Sequence, residues 1–361
     1  MNTLTEKIAR ERLQQFFHEK PLVIFGTGIS CAVDIRFGMN ALQNELQCKV
    51  PPKLNGNGLK KEWQCVIGKL NQNVDLENAM NIVMDPKLIE IITSITGEFI
   101  SSIDEEYATM IMGGSIEWPA AKLFRKLVEN LPATDPTLHV ITPNYDLLAE
   151  YAFEKEEISY INGFIGGICR YLDWTQCEKI VKVPGEKINR KRITKTKKHI
   201  RLHKVHGSIN MFWLDDRVRE NNAWIMRPPK GRERIIITPG ISKYERITDF
   251  RKALLQKADE AIEKESSFLF IGYGFNDKHL EKDITLKLIN QKCKGVIITK
   301  DANERIQNLV SQADNLWLVC KYMDEKSEGT CISNKQYSNV LYLRDKKTWD
   351  VATFTTEILG G

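Results

Sequence analysis

Short apolar runs alternate with helical stretches along most of this chain, and that alternation constrains its fold more than any other feature. The apolar runs are four residues long and rich in Val, Ile, Leu and Phe, as parallel strands buried on both faces are. They lie at 22–25, 138–141, 268–271, 296–299 and 316–319. The pattern predicts an α/β fold, a Rossmann-like doubly wound parallel sheet with helices on both faces and a helical insertion.

The 361 residues are predicted to form one domain, 1–361, with two insertions. The first, 47–135, has helical periodicity without a convincing strand, and short helices are expected at 75–84, 86–95, 107–112 and 120–130. The second, 155–235, is expected to be irregular and basic, with strand-like alternation only near residues 200–205. An apolar strand over 235–238, stopped by Pro239-Gly240, is expected to follow it.

Composition excludes several classes of protein. The apolar fraction of 42% and charged fraction of 27% are those of a soluble globular protein, and no apolar run approaches the length of a membrane helix. The eight cysteines are scattered, without the paired spacing of a zinc site, so no metal is predicted. Because the N-terminus also lacks a secretory signal pattern, we expect a cytoplasmic protein.

A glycine segment follows the first apolar run. Backbone N–H groups of Gly26, Thr27 and Gly28 could approach a pyrophosphate closely, with Ser30 as a further contact. The usual dehydrogenase fingerprint needs a third glycine where this chain has Cys31, so that fingerprint fails. A plain glycine turn, with Ser30 as a helix N-cap, is the alternative.

The segment Thr142-Pro143-Asn144-Tyr145-Asp146 follows the second apolar run. Pro143 should stop the strand, because it cannot donate to a sheet ladder. Asn144 and Asp146 would then lie at the carboxyl end of the strand, where an amide and a carboxylate can bind a ribose hydroxyl and a carboxamide. A cap on helix 147–153 is the alternative role for Asp146.

Two later segments complete the set. His206 stands at a strand-to-loop junction before Gly207-Ser208, a place where an imidazole can act as a general base. The run after 268–271 opens a helix and offers backbone and polar contacts to a ribose or phosphate. Its candidate binding residues are Gly272, Tyr273, Gly274, Asn276 and Asp277.

The four segments in this order resemble the sirtuin superfamily, over about residues 22–300. The resemblance implies that Gly26–Gly28 bind the pyrophosphate of NAD+ and that His206 is the catalytic histidine. It implies that Asn144 holds the nicotinamide ribose and that Asp146 orients the nicotinamide amide. The late glycine segment would contact the adenosine side.

The form Asn144-Tyr145-Asp146, together with the Gly-Tyr-Gly-Phe-Asn-Asp run at 272–277, is similar to the bacterial sirtuin-like NAD+ hydrolases of anti-phage defence rather than to protein deacylases. Two departures from the deacylases weigh against a tunnel for acyl-lysine. The four-cysteine zinc ribbon of deacylases is missing, since 178–292 contains no cysteine, and the Gly-Ile-Pro-Asp-Phe-Arg stretch is replaced at 33–38. The resemblance then implies cleavage of NAD+, as substrate, to nicotinamide and ADP-ribose by a regulated effector. By analogy it implies a homo-oligomer with a HerA-type hexameric ATPase as partner.

Three alternatives stay open. The chain could be a non-catalytic NAD- or ADP-ribose-binding assembly module, or an NAD-dependent protein deacylase. A nucleic-acid-acting subunit could use the basic run at 187–204, which includes Lys195, Lys197 and Lys198. Neither a membrane nor a metal is expected as a partner.

Overall fold

The computed structural model describes residues 2–188, 191–237, 245–324 and 327–360. Three short 3-10 turns lie at Ile35–Phe37, Pro51–Lys53 and Asn222–Trp224. The described helices are α1 (Glu6–Phe16), α2 (Thr27–Cys31), α3 (Met39–Lys49), α4 (Asn57–Asn71), α5 (Leu76–Met80), α6 (Pro86–Met112), α7 (Ala121–Glu129), α8 (Leu148–Lys155), α9 (Trp174–Ile180), α10 (Glu245–Lys264), α11 (Lys278–Ile289), α12 (Glu304–Gln312) and α13 (Val351–Leu359).

The described strands fall into two sheets and a separate hairpin. They are β1 (Leu22–Phe25), β2 (Thr137–Thr142), β3 (Tyr160–Ile161), β4 (Phe164–Ile165), β5 (Arg170–Leu172), β6 (Lys182–Ile188), β7 (Lys191–Thr196), β8 (His199–Lys204), β9 (Gly207–Leu214), β10 (Arg217–Glu220), β11 (Arg234–Ile236), β12 (Ser267–Ile271), β13 (Lys294–Thr299), β14 (Leu316–Met323), β15 (Glu328–Ser333) and β16 (Leu341–Arg344).

The main sheet has the order β16-β15-β14-β13-β12-β1-β2-β8-β3, and every pairing from β14 to β3 is parallel. The central run β8-β2-β1-β12-β13-β14 has the strand order of a dinucleotide-binding fold, whose direction of winding reverses beside β1. The predicted Rossmann-like α/β class is confirmed.

Alternate side chains of β1 enter two different cores, which makes the sheet doubly wound. Val23 and Phe25 pack in the core formed with α1, α6, α7, α8 and α13. Leu22 and Ile24 pack on the other face, against α10, α11 and α12. Because both faces are covered, the strand is apolar at every position rather than alternating.

A third core lies among α3, α4, α5 and the first half of α6, over the stretch that the sequence predicts as helical. The expected break between 95 and 107 is wrong, since α6 is continuous over 27 residues. Gly97 and nearby Ser and Thr residues lower helix propensity there, but burial of Ile100 and Ile103 overrides it. Gly97 also leaves space for the Arg234 side chain, which a Cβ would meet.

Residues 155–235 differ from the expected irregular segment. They hold a second sheet of order β11-β9-β10-β5-β4 and the β6–β7 hairpin, besides β3 and β8 of the main sheet. Many of these strands are only two to four residues long, which leaves little periodicity to read. A strand predicted over 235–238 is Arg234–Ile236, and the expected stop at Pro239-Gly240 lies outside the described residues. Among the described helices, none is long and apolar enough to cross a membrane.

Candidate functional site

Four neighbouring strands of the main sheet, β8, β2, β1 and β12, carry the four predicted segments at their carboxyl ends. The segments surround one cavity of about 480 Å³. Open α/β sheets bind ligands at this edge, beside the strand where the winding reverses. The cavity therefore lies where the strand order predicts a ligand.

The two glycine segments lie directly against each other. The Gly28 N–H donates to the Gly272 carbonyl at 3.0 Å, and the Gly26 N–H donates to the Ile271 carbonyl at 3.0 Å. A Cβ on Gly28 would lie 2.7 Å from the Gly272 oxygen, and Gly272 itself has φ +53°. Side chains are excluded here by backbone contact, so both loops present backbone to the cavity.

Asn144 is fixed by its amide nitrogen and leaves its amide oxygen without a partner. Its Nδ2 donates to the Gly26 carbonyl at 3.1 Å and to Ser30 Oγ at 3.0 Å. A carbonyl can only accept, so the amide orientation follows from the contact with Gly26. Asn144 is 5% exposed, and its buried Oδ1 has no hydrogen-bond partner. Such an atom is costly unless a ligand or water donates to it.

Asp146 lies beside Asn144 and shares Ser30 with it. The Ser30 hydroxyl donates to Asp146 Oδ2 at 2.8 Å, and Oδ1 accepts from the Leu148 N–H at 3.3 Å. Ser30 therefore joins the two side chains instead of capping a helix, whereas Asp146 has the helix-start contact that the alternative predicted. Burial raises the pKa of the Asp146 carboxyl, and the Lys204 ammonium opposes the rise.

Lys204 is buried beneath this segment. Its ammonium donates to the Asp146 carbonyl and to Glu150 Oε1, the latter at 2.8 Å, and its side chain is 1% exposed. An ammonium so buried needs both a countercharge and hydrogen-bond acceptors, which these two groups supply. The ion pair connects the end of β8 to α8 and supports the Asp146 backbone.

Asp104 of α6 holds the same segment from the other side. Its carboxylate accepts from the Leu147 N–H at 2.7 Å and from the Tyr151 hydroxyl at 2.6 Å. Burial raises the pKa of Asp104 to about 7, although both hydrogen bonds oppose the rise. The polar segment after β2 is thus clamped between two buried ionisable groups, Asp104 and Lys204.

His206 lies two residues after β8, and its imidazole lines the cavity. His206 Nε2 is 2.7 Å from Asp277 Oδ2. Asp277 also caps α11, since its Oδ1 accepts from the N–H groups of His279 and Leu280 at 2.9 and 3.4 Å. The His206 carbonyl accepts from the Ile237 N–H at 2.9 Å, which fixes its backbone.

The structure brings together all of the sequence-predicted site residues. Ser30 lies just behind the wall, hydrogen-bonded to two residues that line the cavity. The predicted residues that line the cavity are Gly26, Thr27, Gly28, Asn144, Asp146, His206, Gly272, Tyr273, Gly274, Asn276 and Asp277. Their roles in binding and catalysis stay predictions.

Sequence reasoning missed one wall of the cavity, which comes from α3, α5, α12 and their flanks. Arg305 stands on this wall, and its guanidinium donates to the Phe275 carbonyl at 3.0 Å. Burial and the nearby Asp277 carboxylate raise the pKa of Glu77. No motif marks these positions, because helices remote in sequence place them there. The other missed lining residues are Phe37, Met39, Leu42, Asp75, Asn78, Asn81, Ile100 of α6 and Ile237.

Within the described ranges, no group of three or more His, Cys, Asp or Glu side chains is arranged to hold a metal ion. The residues that line the cavity instead include the two glycine segments and polar side chains with amide, carboxylate, imidazole and guanidinium groups. Backbone amides suit a phosphate, and the side chains suit hydroxyl and carboxamide groups.

A comparison with protein-family models bears on this site. Residues 138–311 match a family model described as a SIR2-like domain, a span that includes Asn144, Asp146, His206 and the 272–277 segment. This match supports the sirtuin superfamily and an NAD-related function of the sirtuin type. A solved structure on the mechanism and regulation of Sir2 enzymes is 14% identical, with a TM-score of 0.41, covering 86% of this chain and 92% of that chain. No curated protein matches significantly.

Proposed function

We propose that this protein is an NAD+ glycohydrolase, which cleaves NAD+ with water to nicotinamide and ADP-ribose. The observation that carries the proposal is the buried, unpartnered Oδ1 of Asn144, a residue that lines the same cavity as His206 and the two glycine segments. A site that must hold a sugar hydroxyl or a water needs such an acceptor. The match of 138–311 to a SIR2-like domain supports the choice of NAD+.

The bond from nicotinamide to ribose breaks with both electrons leaving on the nicotinamide nitrogen, so positive charge develops on the sugar as in glycoside hydrolysis. Asn144 Oδ1 would accept a hydrogen bond from a ribose hydroxyl or from the attacking water. His206 would take the proton that this hydroxyl or water loses. The backbone N–H of Thr27 would anchor the pyrophosphate, since those of Gly26 and Gly28 already donate to the Ile271 and Gly272 carbonyls. This contact would limit motion of the sugar.

Asp146 would bind the carboxamide of the nicotinamide. Burial raises the pKa of this carboxyl, which disfavours its charged form. The cationic ring of bound NAD+ would act in the opposite direction and favour the charged form. Ser30 and the backbone contact of Lys204 hold Asp146 in place. The side chain would thus be oriented before the substrate arrives, which is how a rigid site lowers the cost of binding.

The test is release of nicotinamide from NAD+, followed by chromatography. We expect Asn144→Ala and His206→Ala each to reduce turnover by on the order of 10²-fold or more. Asn130→Ala and His18→Ala are matched controls, since both side chains are exposed. Wild-type rates in the two site variants would remove these residues from the mechanism, and rates lowered equally in the controls would indicate general damage.

The same assay separates the alternative functions. A non-catalytic module would bind NAD+ in calorimetry without releasing nicotinamide under any condition. A protein deacylase would release nicotinamide only with an acylated peptide, in step with removal of the acyl group. A glycohydrolase needs neither peptide nor acyl group.

We further propose that the enzyme is a regulated effector of anti-phage defence, because uncontrolled loss of NAD+ is toxic. The sirtuin-like resemblance suggests a homo-oligomer that associates with a HerA-type hexameric ATPase. Measuring nicotinamide release with and without such a partner, alongside the oligomer mass in solution, tests this. Full activity of the isolated chain, unchanged by the partner, would contradict regulation by that partner.

A further inference from the structure

We infer that Asp277 is a positioning residue for His206, which holds the imidazole in the tautomer that a general base requires. The sequence pattern suggested that Asp277 contacts the dinucleotide. In the structure its carboxylate is engaged by the imidazole and by the start of α11. The inference rests on the proposed function for its catalytic consequence, although the tautomer can be measured without any activity.

The geometry leaves Asp277 little freedom. Oδ1 accepts the N–H groups of His279 and Leu280, and Oδ2 points at His206 Nε2 over 2.7 Å. Helix α11 is 12 residues long, so its N-terminus favours a negative charge at this place. A carboxylate held at both oxygens is a fixed acceptor rather than a side chain that adapts to ligands.

Burial strengthens this contact. The His206 side chain is 18% exposed and that of Asp277 is 9% exposed, so water competes weakly for the hydrogen bond. Other charged groups face the pair from neighbouring elements. The Asp277 carboxylate raises the pKa of Glu77 and of Glu281, and the Arg305 guanidinium lowers the pKa of both glutamates. Among Asp277 and these neighbouring charged groups, only Asp277 has a described hydrogen bond to the His206 imidazole.

A fixed acceptor at Nε2 determines which ring nitrogen carries the proton in neutral His206. The proton stays on Nε2, facing Asp277, and the lone pair is left on Nδ1. Nδ1 is then the nitrogen that accepts a proton from the ribose hydroxyl or water. A buried aspartate holds the histidine of serine-protease triads in the same way, and replacing it with asparagine imposes the wrong tautomer there.

Two substitutions separate this role from helix capping. Asp277→Asn and Asp277→Ser both keep a good N-cap, so a purely structural role predicts that both behave like the wild type. The Asn amide would instead present an N–H to Nε2 and move the imidazole proton to Nδ1. We expect kcat to fall by on the order of 10³-fold or more in Asp277→Asn, with KM little changed. Asp277→Ser, which imposes no tautomer, should retain roughly tenfold more activity than Asp277→Asn.

The decisive readout is the 15N NMR spectrum of histidine-labelled protein, with the His206 signals assigned from His206→Gln. Wild-type His206 should show the Nε2–H tautomer at a pH where it is neutral, and Asp277→Asn should show the Nδ1–H tautomer. Unchanged tautomer and unchanged kcat in Asp277→Asn would overturn the inference. If the wild type cleaves no NAD+, with or without the partner ATPase, yet the tautomer shifts as expected, the proposed function fails and the positioning role stands.

Discussion

Replacing Asp104 with asparagine tests the electrostatics of the segment that carries Asn144 and Asp146. The Asp104 carboxyl is fully buried, accepts two hydrogen bonds and has its pKa raised to about 7. The amide that Asp104→Asn introduces could still accept from the Leu147 N–H, but its NH2 group would meet the Tyr151 hydroxyl. That exchange costs on the order of 1 kcal/mol at every pH.

The dependence on pH carries the prediction. The pKa of Asp104 is about 7 in the folded state against 3.8 as the ordinary value, so the folded protein binds this proton more tightly. Its contribution to stability is complete below pH 3.8 and is lost as the pH rises through 7. The range from pH 5 to pH 8 includes about two pH units of the interval between these two pKa values. Each unit changes the free energy of unfolding by about 1.4 kcal/mol. The wild type should therefore lose ~3 kcal/mol relative to Asp104→Asn.

Urea unfolding at matched ionic strength, followed by tryptophan fluorescence at pH 5, 6, 7 and 8, measures this difference. Asp216→Asn is the control, because Asp216 is exposed and at a positive φ that asparagine tolerates. We expect the stability of Asp104→Asn relative to the wild type to rise with pH, while the control stays flat. A flat difference for Asp104→Asn would mean that burial does not disfavour this charge, and would refute the reasoning.

Two further substitutions test the walls of the site. Gly28→Ala should weaken NAD+ binding at least about tenfold and lower the free energy of unfolding by about 1–3 kcal/mol, because its Cβ would lie 2.7 Å from the Gly272 oxygen. Calorimetry measures the binding and urea unfolding measures the stability. Gly68→Ala is the control, because a Cβ there would have open space around it, and equal behaviour of the two variants would contradict the close approach. Lys204→Met should cost about 3–5 kcal/mol of unfolding free energy, because Glu150 is left buried and unpaired. Adding Glu150→Gln should recover part of the loss, and unchanged stability of Lys204→Met alone would contradict the role of the ion pair.

The sequence predicts the sheet and the site well where local signals agree with tertiary demands. Apolar runs such as Leu22–Phe25 have no alternation because both of their faces are buried, and Pro143 ends β2 as expected. The polar groups that follow these strands converge because parallel strands bring their carboxyl ends to one edge. This is why residues as distant as Asn144 and Gly272 could be predicted to share a cavity.

What the sequence could not predict depends on packing between remote elements. Glu77 and Arg305 reach the cavity only because α5 and α12 are placed against it, and neither has a local motif. Helix α6 continues through Gly97 because Ile100 and Ile103 are buried in the core. A glycine is needed at position 97 because the Arg234 side chain occupies the place of a Cβ. Antiparallel strand β15 was not predicted, since its mixed composition, EGTCIS, carries little apolar alternation.

The central claim is that four distant segments bind one dinucleotide, with the imidazole of His206 beside the sugar carbon that loses its base. A crystal structure of the His206→Ala variant with NAD+ tests it most directly. We predict the pyrophosphate against the backbone of Gly26–Gly28, the nicotinamide ribose at Asn144 Oδ1 and the carboxamide at Asp146. NAD+ bound elsewhere, or with its ribose turned away from Asn144 and position 206, would contradict the account.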